Sequence, residues 1–320
     1  MPAFDLPLDE LMTYQGRNPR PDDFDEYWAE ALKELHDVDA ELILEPVSYP
    51  STIAQCFDLT FTGVRGARVY AKFLRPIDVA VPHPGVIVFH GYSGASPDWF
   101  SLLPYAAQGF AVAAMDCRGQ GGRSQDTGNV KGGTLLGHIV RGLGDEPRQL
   151  AFRQIFLDCV ELTNLVMAMP EVDADRIGVT GASQGGGLAL ACAALEPRVK
   201  LAAPVYPFLS DYLRTWEMDL AAEAYEEIRH YLRRFDPTHA RVDELFTTLG
   251  YIDVQHLAPR IRARVMMSTG LMDKICAPST QFATFNKISS AKDLVMYPDF
   301  EHEYLPGSDD RIFRFFADHL

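Results

Sequence analysis

Arg176-Ile177-Gly178-Val179-Thr180-Gly181-Ala182-Ser183-Gln184-Gly185-Gly186-Gly187-Leu188-Ala189-Leu190-Ala191 is the stretch on which the reading of this 320-residue chain turns. Its first five residues have the pattern of a buried strand, and its end that of an apolar helix. Between them stands Gly-x-Ser-x-Gly, the pattern of a sharp strand-to-helix turn that presents a serine hydroxyl at the edge of a sheet. Such a turn strains the serine backbone and crowds its neighbours, so small residues are needed on both sides, and Gly181, Ala182, Gly185 and Gly186 supply them. The bare pattern recurs by chance in glycine-rich loops; the flanking strand and helix are what mark this one as a nucleophile elbow.

Outward from the elbow, short apolar runs alternate with helix-patterned segments, the signature of βαβ construction. Strands are expected at 54–60, 68–74, 85–90, 111–115, 176–180, 201–206, 264–269 and 294–297. The first two suit antiparallel pairing and the rest parallel, giving a mostly parallel eight-stranded sheet flanked by helices. Residues 147–169 predict a helix with Pro147 at its first position and Phe152, Ile155, Phe156, Cys159, Val160, Val166 and Met167 as its core stripe. Residues 21–36 predict an amphipathic helix capped by Asp22 or Asp23, within a helical extension over 1–50. The helix-rich stretch 211–256, inside an insertion at about 207–260, is too long for an ordinary crossover and suits a lid or pocket wall. No repeat or linker interrupts the chain, so 1–320 is expected to form one domain.

The composition, 47% hydrophobic and 23% charged, excludes disordered and low-complexity classes. Acidic residues outnumber basic ones by 44 to 29, a net charge of −15, and no Lys/Arg run exceeds a pair, which argues against nucleic acid as a partner. The amino terminus has no basic patch followed by an apolar run, and no stretch is long enough for a membrane span, so neither a signal peptide nor a membrane helix is expected. Cys56, Cys117, Cys159, Cys192 and Cys276 lack metal or disulfide spacing and suit the reduced thiols of a cytoplasmic protein.

A serine hydroxyl is a weak nucleophile at neutral pH and needs a base within hydrogen-bond reach, itself oriented by an acid. In this topology both follow the serine, acid first. Asp273 lies just past the strand at 264–269, and His302 just past that at 294–297, so both emerge at carboxyl ends of parallel strands. Of the nine histidines, His36, His230, His239 and His256 fall in helical segments, His319 is terminal and His83 precedes a strand; His138 belongs to a loop, and His90 ends a strand before the serine. Asp299 and Asp253 compete with Asp273 for the acid's place. Oxyanion-hole amides are expected from Gln184, after the nucleophile, and Tyr92, in the loop Phe89-His90-Gly91-Tyr92-Ser93-Gly94. A second glycine-rich segment, Asp116-Cys117-Arg118-Gly119-Gln120-Gly121-Gly122-Arg123-Ser124, lacks both the P-loop Lys-Ser/Thr and the dinucleotide fingerprint. Its expected role is structural, with Arg118 pairing to a buried carboxylate and Gln120 bonding backbone beside the elbow.

Arg118-Gly119-Gln120-Gly121, Gly181-Ala182-Ser183-Gln184-Gly185-Gly186 and His302-Glu303, in that order, resemble the carbohydrate esterase family that includes acetyl xylan esterases and cephalosporin-C deacetylases. Gly137-His138-Ile139-Val140-Arg141-Gly142, Gly270-Leu271-Met272-Asp273 with Cys276 and Pro278-Ser279-Thr280, and Pro21-Asp22-Asp23-Phe24-Asp25-Glu26-Tyr27-Trp28 extend the resemblance over almost the whole chain. The resemblance implies an α/β-hydrolase fold, Ser183 as nucleophile, Asp273 and His302 as its relay, and Tyr92 and Gln184 amides as oxyanion donors. It further implies cytoplasmic hexameric rings with sites facing an inner cavity, acting on acetyl groups of short xylo-oligosaccharides and cephalosporins, with peracid formation in some members. The chain departs from the family pattern at Ala277, where a second proline is common, and at Glu301 and Tyr304-Leu305-Pro306 around the base.

The expected reaction is removal of acetyl groups through an acyl-enzyme, with no metal or organic cofactor. A peptidase or lactone hydrolase of the same fold would carry the same three residues. A binding protein on this scaffold would be expected to have lost one of them.

Overall fold

The structure, a computed structural model, describes residues 4–77, 81–128, 138–220 and 223–320. Gly137 of the family-like motif, residues 1–3 of the expected extension and 221–222 of the insertion lie outside these. The strands are β1 (Ile43–Val47), β2 (Ala54–Thr62), β3 (Arg68–Pro76), β4 (His83–Phe89), β5 (Ala111–Met115), β6 (Val172–Ala182), β7 (Leu201–Val205), β8 (Arg264–Gly270) and β9 (Lys292–Tyr297). They form one sheet in the order β1-β2-β3-β5-β4-β6-β7-β8-β9. Pairing is antiparallel from β1 to the β3–β5 contact and parallel from β5 through β9.

Among the described residues the sheet therefore has nine strands where the pattern indicates eight. The additional one, Ile43-Leu44-Glu45-Pro46-Val47, is exposed along most of its length and carries a proline, so it has no alternation to betray it. A proline is tolerated there because β1 pairs only with β2, at the sheet's edge.

The helices are α1 (Leu8–Leu11), α2 (Phe24–His36), α3 (Trp99–Ala107), α4 (Ala151–Met167), α5 (Gln184–Leu195), α6 (Tyr212–Glu217), α7 (Glu226–Phe235), α8 (Val242–Leu249), α9 (Val254–Leu257), α10 (Pro278–Lys287) and α11 (Ser308–His319). Among the described residues, no helix is long and apolar enough to cross a membrane. All five cysteines are free and buried.

Both faces of the sheet are covered, which explains why its central strands are apolar throughout. In β5, Ala111, Ala113 and Met115 join the core under α2, α4 and α5, while Val112 and Ala114 join the one under α3 and α11. A Cβ at Gly178 in β6 would sit 2.7 Å from the Phe316 ring, which is how closely α11 rides on the sheet. On α2 the buried positions Phe24, Tyr27, Trp28, Ala31 and Leu35 follow helical spacing, and Trp28 stacks on Phe156 of α4 at 5.8 Å.

Two local expectations are corrected. Asp23 occupies the cap position of α2 but makes no side-chain cap bond; its carboxylate accepts instead from the Tyr251 hydroxyl. Pro147 starts a separate 3₁₀ turn, Pro147–Gln149, because Leu150 at φ −54° and ψ 128° is extended and α4 begins only at Ala151.

The loop after β5 is tied to α4 by a buried ion pair. Arg118 Nε donates to Asp158 Oδ2 at 2.6 Å, a second guanidinium nitrogen meets Oδ1, and Nη1 donates to the Val64 carbonyl at 3.2 Å. Both residues are buried. Removing one partner strands the other charge in a dry core, which typically costs about 3–5 kcal/mol. Arg118→Ala is therefore expected to lower unfolding free energy by about that amount in urea denaturation at pH 7; an unchanged midpoint would mean that the pair does not hold this loop.

Candidate active site

The elbow forms where β6 ends and α5 begins. Ser183 sits at φ 57° and ψ −119°, a conformation that an L-residue adopts only under constraint. Gly181 and Gly185 are required by space: added Cβ atoms would lie 2.4 Å and 2.1 Å from the Phe89 carbonyl oxygen of β4. Gln184 opens α5, so its amide is among the N–H groups left free at a helix start, beside the serine hydroxyl.

The three residues expected to work together meet. His302 Nε2 lies 3.0 Å from Ser183 Oγ, and His302 Nδ1 lies 2.8 Å from Asp273 Oδ2. The other carboxylate oxygen of Asp273 accepts the Ile275 and Cys276 amides, each at 2.8 Å. This buried carboxylate is thereby fixed on both sides. An imidazole so oriented, with its second nitrogen on a serine hydroxyl, has the geometry to take the hydroxyl proton. Asp253, the first rival acid, is occupied elsewhere: its oxygens accept the Asp211 and Gln255 amides and the Gln255 side chain. Asp299, though three residues from His302, is not the carboxylate on its imidazole.

Asp273, Cys276 and His302 also bring three possible metal-ligand atoms within 4.8 Å of one another. Within the site these atoms already have partners from the protein. Both Asp273 oxygens are engaged by His302 and by the Ile275 and Cys276 amides, and burial keeps the Cys276 thiol protonated by pushing its pKa up, Asp273 adding to this while a hydrogen bond with Ser183 opposes it.

Gln120 meets the elbow through its side chain and not, as expected, by bonding backbone. Its amide and that of Gln184 exchange two hydrogen bonds at 2.8 Å and 3.0 Å, and the Gln184 amide also reaches the His90 carbonyl at 3.4 Å. Backbone assignment fails because the paired amides satisfy donor and acceptor of each other.

Tyr92 stands in a ring cluster, edge-on to Phe208 at 5.8 Å and to His138 at 5.2 Å, and Tyr206 packs on the His302 ring at 4.5 Å. Around the base, Glu301 pairs with Lys274 at 3.0 Å and Tyr304 is exposed, whereas Leu305 and Ala277 are buried, so the departures from the family pattern are divided between the surface and the core.

Glu227 of α7 was not signalled by the sequence, because an acid in a charged helix looks solvated. It is buried, and its oxygens accept the successive His138, Ile139 and Val140 amides at 3.2, 2.9 and 3.3 Å. The His138 amide also reaches the Tyr92 hydroxyl at 3.3 Å, so α7 is connected to the ring cluster.

Burial pushes the Glu227 carboxyl up to about 8 from an ordinary 4.5, against the three amides that favour its charged form. Between these values the folded state holds the proton and the unfolded state has released it, so this residue's contribution to stability is lost as pH rises from about 4.5 through about 8. Glu227→Gln is expected to show a flatter stability profile than the parent between pH 5 and pH 8, measured by urea denaturation; parallel profiles would mean the carboxyl is ionised throughout.

The acetyl xylan esterase (AXE1) family model matches residues 1–319. The crystal structure of acetyl xylan esterase 1 from Thermoanaerobacterium sp. JW/SL YS485 is 55% identical, with a TM-score of 0.97 over 98% of this chain and 99% of that one. Acetyl xylan esterase from Paenibacillus sp. R4 is 36% identical, with a TM-score of 0.94 over 98% of this chain and all of the other. A curated relative, acetyl esterase Axe7A of Xylanibacter ruminicola, is 26% identical over 303 residues, covering 92% of this chain; the match spans 65% of that relative's length.

Proposed function

The chain belongs to the acetyl xylan esterase family, and from that premise we propose that it is a serine carboxylesterase that removes acetyl groups from small acetylated substrates, acetylated xylo-oligosaccharides and cephalosporin C among them. The observation that carries this reading is the continuous relay from Asp273 through His302 to Ser183, at 2.8 Å and 3.0 Å.

In this mechanism Ser183 Oγ attacks the acetyl carbonyl carbon while His302 Nε2 takes its proton. Asp273 holds the imidazole in the required tautomer and stabilises the imidazolium as it forms. The Tyr92 and Gln184 amides donate to the oxyanion of the tetrahedral intermediate. His302 returns the proton to the departing sugar oxygen, and the C–O bond breaks to leave acetyl-Ser183. Water, deprotonated by the same histidine, then attacks the acyl carbonyl; the bond to Ser183 Oγ breaks as His302 returns the proton to that oxygen, and acetate leaves.

Arg118, Gln120, Gly181 and Gly185 act as the structural support of this site. The whole of 1–320 works as one domain, with the segment at about 207–260 walling the acyl pocket beside Tyr92; the Glu227 and Phe208 contacts support that placement. Family resemblance supports a homo-oligomer, specifically a hexameric ring, and the five free thiols fit a reducing, cytoplasmic setting.

Ser183→Ala is expected to lower turnover of p-nitrophenyl acetate by about 10⁴-fold or more, as loss of the nucleophile does in such relays. Wild-type turnover in that variant would remove the assignment. We infer that the rings packed around Tyr92 narrow the acyl pocket, so acetyl esters are expected to turn over faster than butyryl esters in parallel kcat/KM measurements; equal values would argue against a narrow pocket.

A further inference from the structure

His90 follows β4 and takes no part in the relay, yet both of its ring nitrogens are committed within the candidate site. Nε2 lies 2.9 Å from the Cys117 amide, and Nδ1 lies 2.7 Å from the Gly91 carbonyl oxygen. An amide N–H can only donate, so Nε2 is the acceptor and carries no proton. The proton of the neutral ring is then on Nδ1, where it donates to the Gly91 carbonyl. Burial favours this neutral form, although the Gly91 carbonyl and Asp116 act in the opposite direction.

The Gly91 carbonyl and the Tyr92 N–H belong to one planar peptide unit and point to opposite sides of it. A donor that fixes the carbonyl therefore aims the amide. The Gly94 amide reaches the same carbonyl at 3.1 Å, and Gly121 N–H donates to the Gly94 carbonyl at 2.9 Å, so the loop is joined to the 117–121 segment twice. There is little slack: a Cβ at Gly94 would lie 3.0 Å from the Gly91 carbonyl oxygen and 3.3 Å from His90 Nδ1.

We propose that His90 is a positioning residue, whose neutral imidazole, anchored by the Cys117 amide, orients the Gly91–Tyr92 peptide so that the Tyr92 N–H meets the developing oxyanion. This rests on the esterase reading above and adds a residue outside the relay. The imidazole does two separable things: it accepts at Nε2 and donates at Nδ1. Asparagine can place an amide nitrogen near the Nδ1 position and restore the donor to Gly91. Glutamine reaches the Nε2 position and restores the acceptor for Cys117 without that donor.

The test uses His90→Asn, His90→Gln and His90→Ala in the full chain. Turnover of p-nitrophenyl acetate and inhibition by a methylboronic acid, which forms a tetrahedral adduct on the serine, are measured with thermal unfolding. His90→Gln and His90→Ala are expected to lose about 10²–10³ in kcat, the usual effect of losing one oxyanion donor, with KM changed less than about threefold. Boronic acid affinity should fall in step with kcat, and His90→Asn should recover at least about tenfold of the lost rate.

Unchanged kcat in all three variants would overturn the proposal. So would kcat loss that follows only the loss of thermal stability, or a His90→Asn no better than His90→Ala. Ser183→Ala is assayed alongside: turnover retained there removes the esterase reading itself, whereas an inactive Ser183→Ala with fully active His90 variants removes only the role of His90.

Discussion

The candidate site hangs on one backbone conformation, that of Ser183 at φ 57° and ψ −119°. A residue held there stores about 1–3 kcal/mol, so its surroundings must over-determine it. They do so with main-chain bonds: the Ser183 amide donates to the Val205 carbonyl at 2.9 Å, and its carbonyl accepts from Gly187 at 3.1 Å and Phe208 at 3.0 Å. The β4 backbone closes the remaining space at Gly181 and Gly185. The turn that strains the serine also begins α5, so hydroxyl and free helix amide emerge together.

Around this turn, position is set by polar contacts within an apolar frame. Dispersion and burial hold the sheet and its two helical layers but have little directional preference. Loops carrying chemistry need direction, and here buried hydrogen bonds provide it. Arg118 and Asp158 tie the loop after β5 to α4, paired Gln120 and Gln184 side chains join that loop to the elbow, and two amides hold Asp273. Each of these groups would be costly to bury alone, so every pair is also a constraint on where its two segments can lie.

The same economy extends beneath the site. Asp211, itself at φ 50°, accepts the Arg17 and Asn18 amides and the Tyr14 hydroxyl, and its own amide bonds Asp253, whose carboxyl burial raises to about 7. One short segment after β7 thus connects the amino-terminal chain, α9 and the elbow's neighbour Phe208. Helix α7 adds Glu227 against the 138–140 backbone, so the rings by Tyr92 are held from the insertion side as well.

Local pattern by itself determined the elbow, the central strands, the amphipathic helix α2 and the core stripe of α4, because apolar periodicity and close-packed glycines are written in consecutive residues. Tertiary structure alone decided the rest. It showed that Asp273, and not Asp299 or Asp253, faces His302; that Gln120 pairs with a side chain; that Asp23 serves Tyr251; and that Ile43–Val47 is an edge strand. It also gave His90 and Glu227 their partners. Those outcomes depend on which polar atoms meet across long separations in sequence, and a hydrogen bond has no identity until the backbone has brought its two ends together.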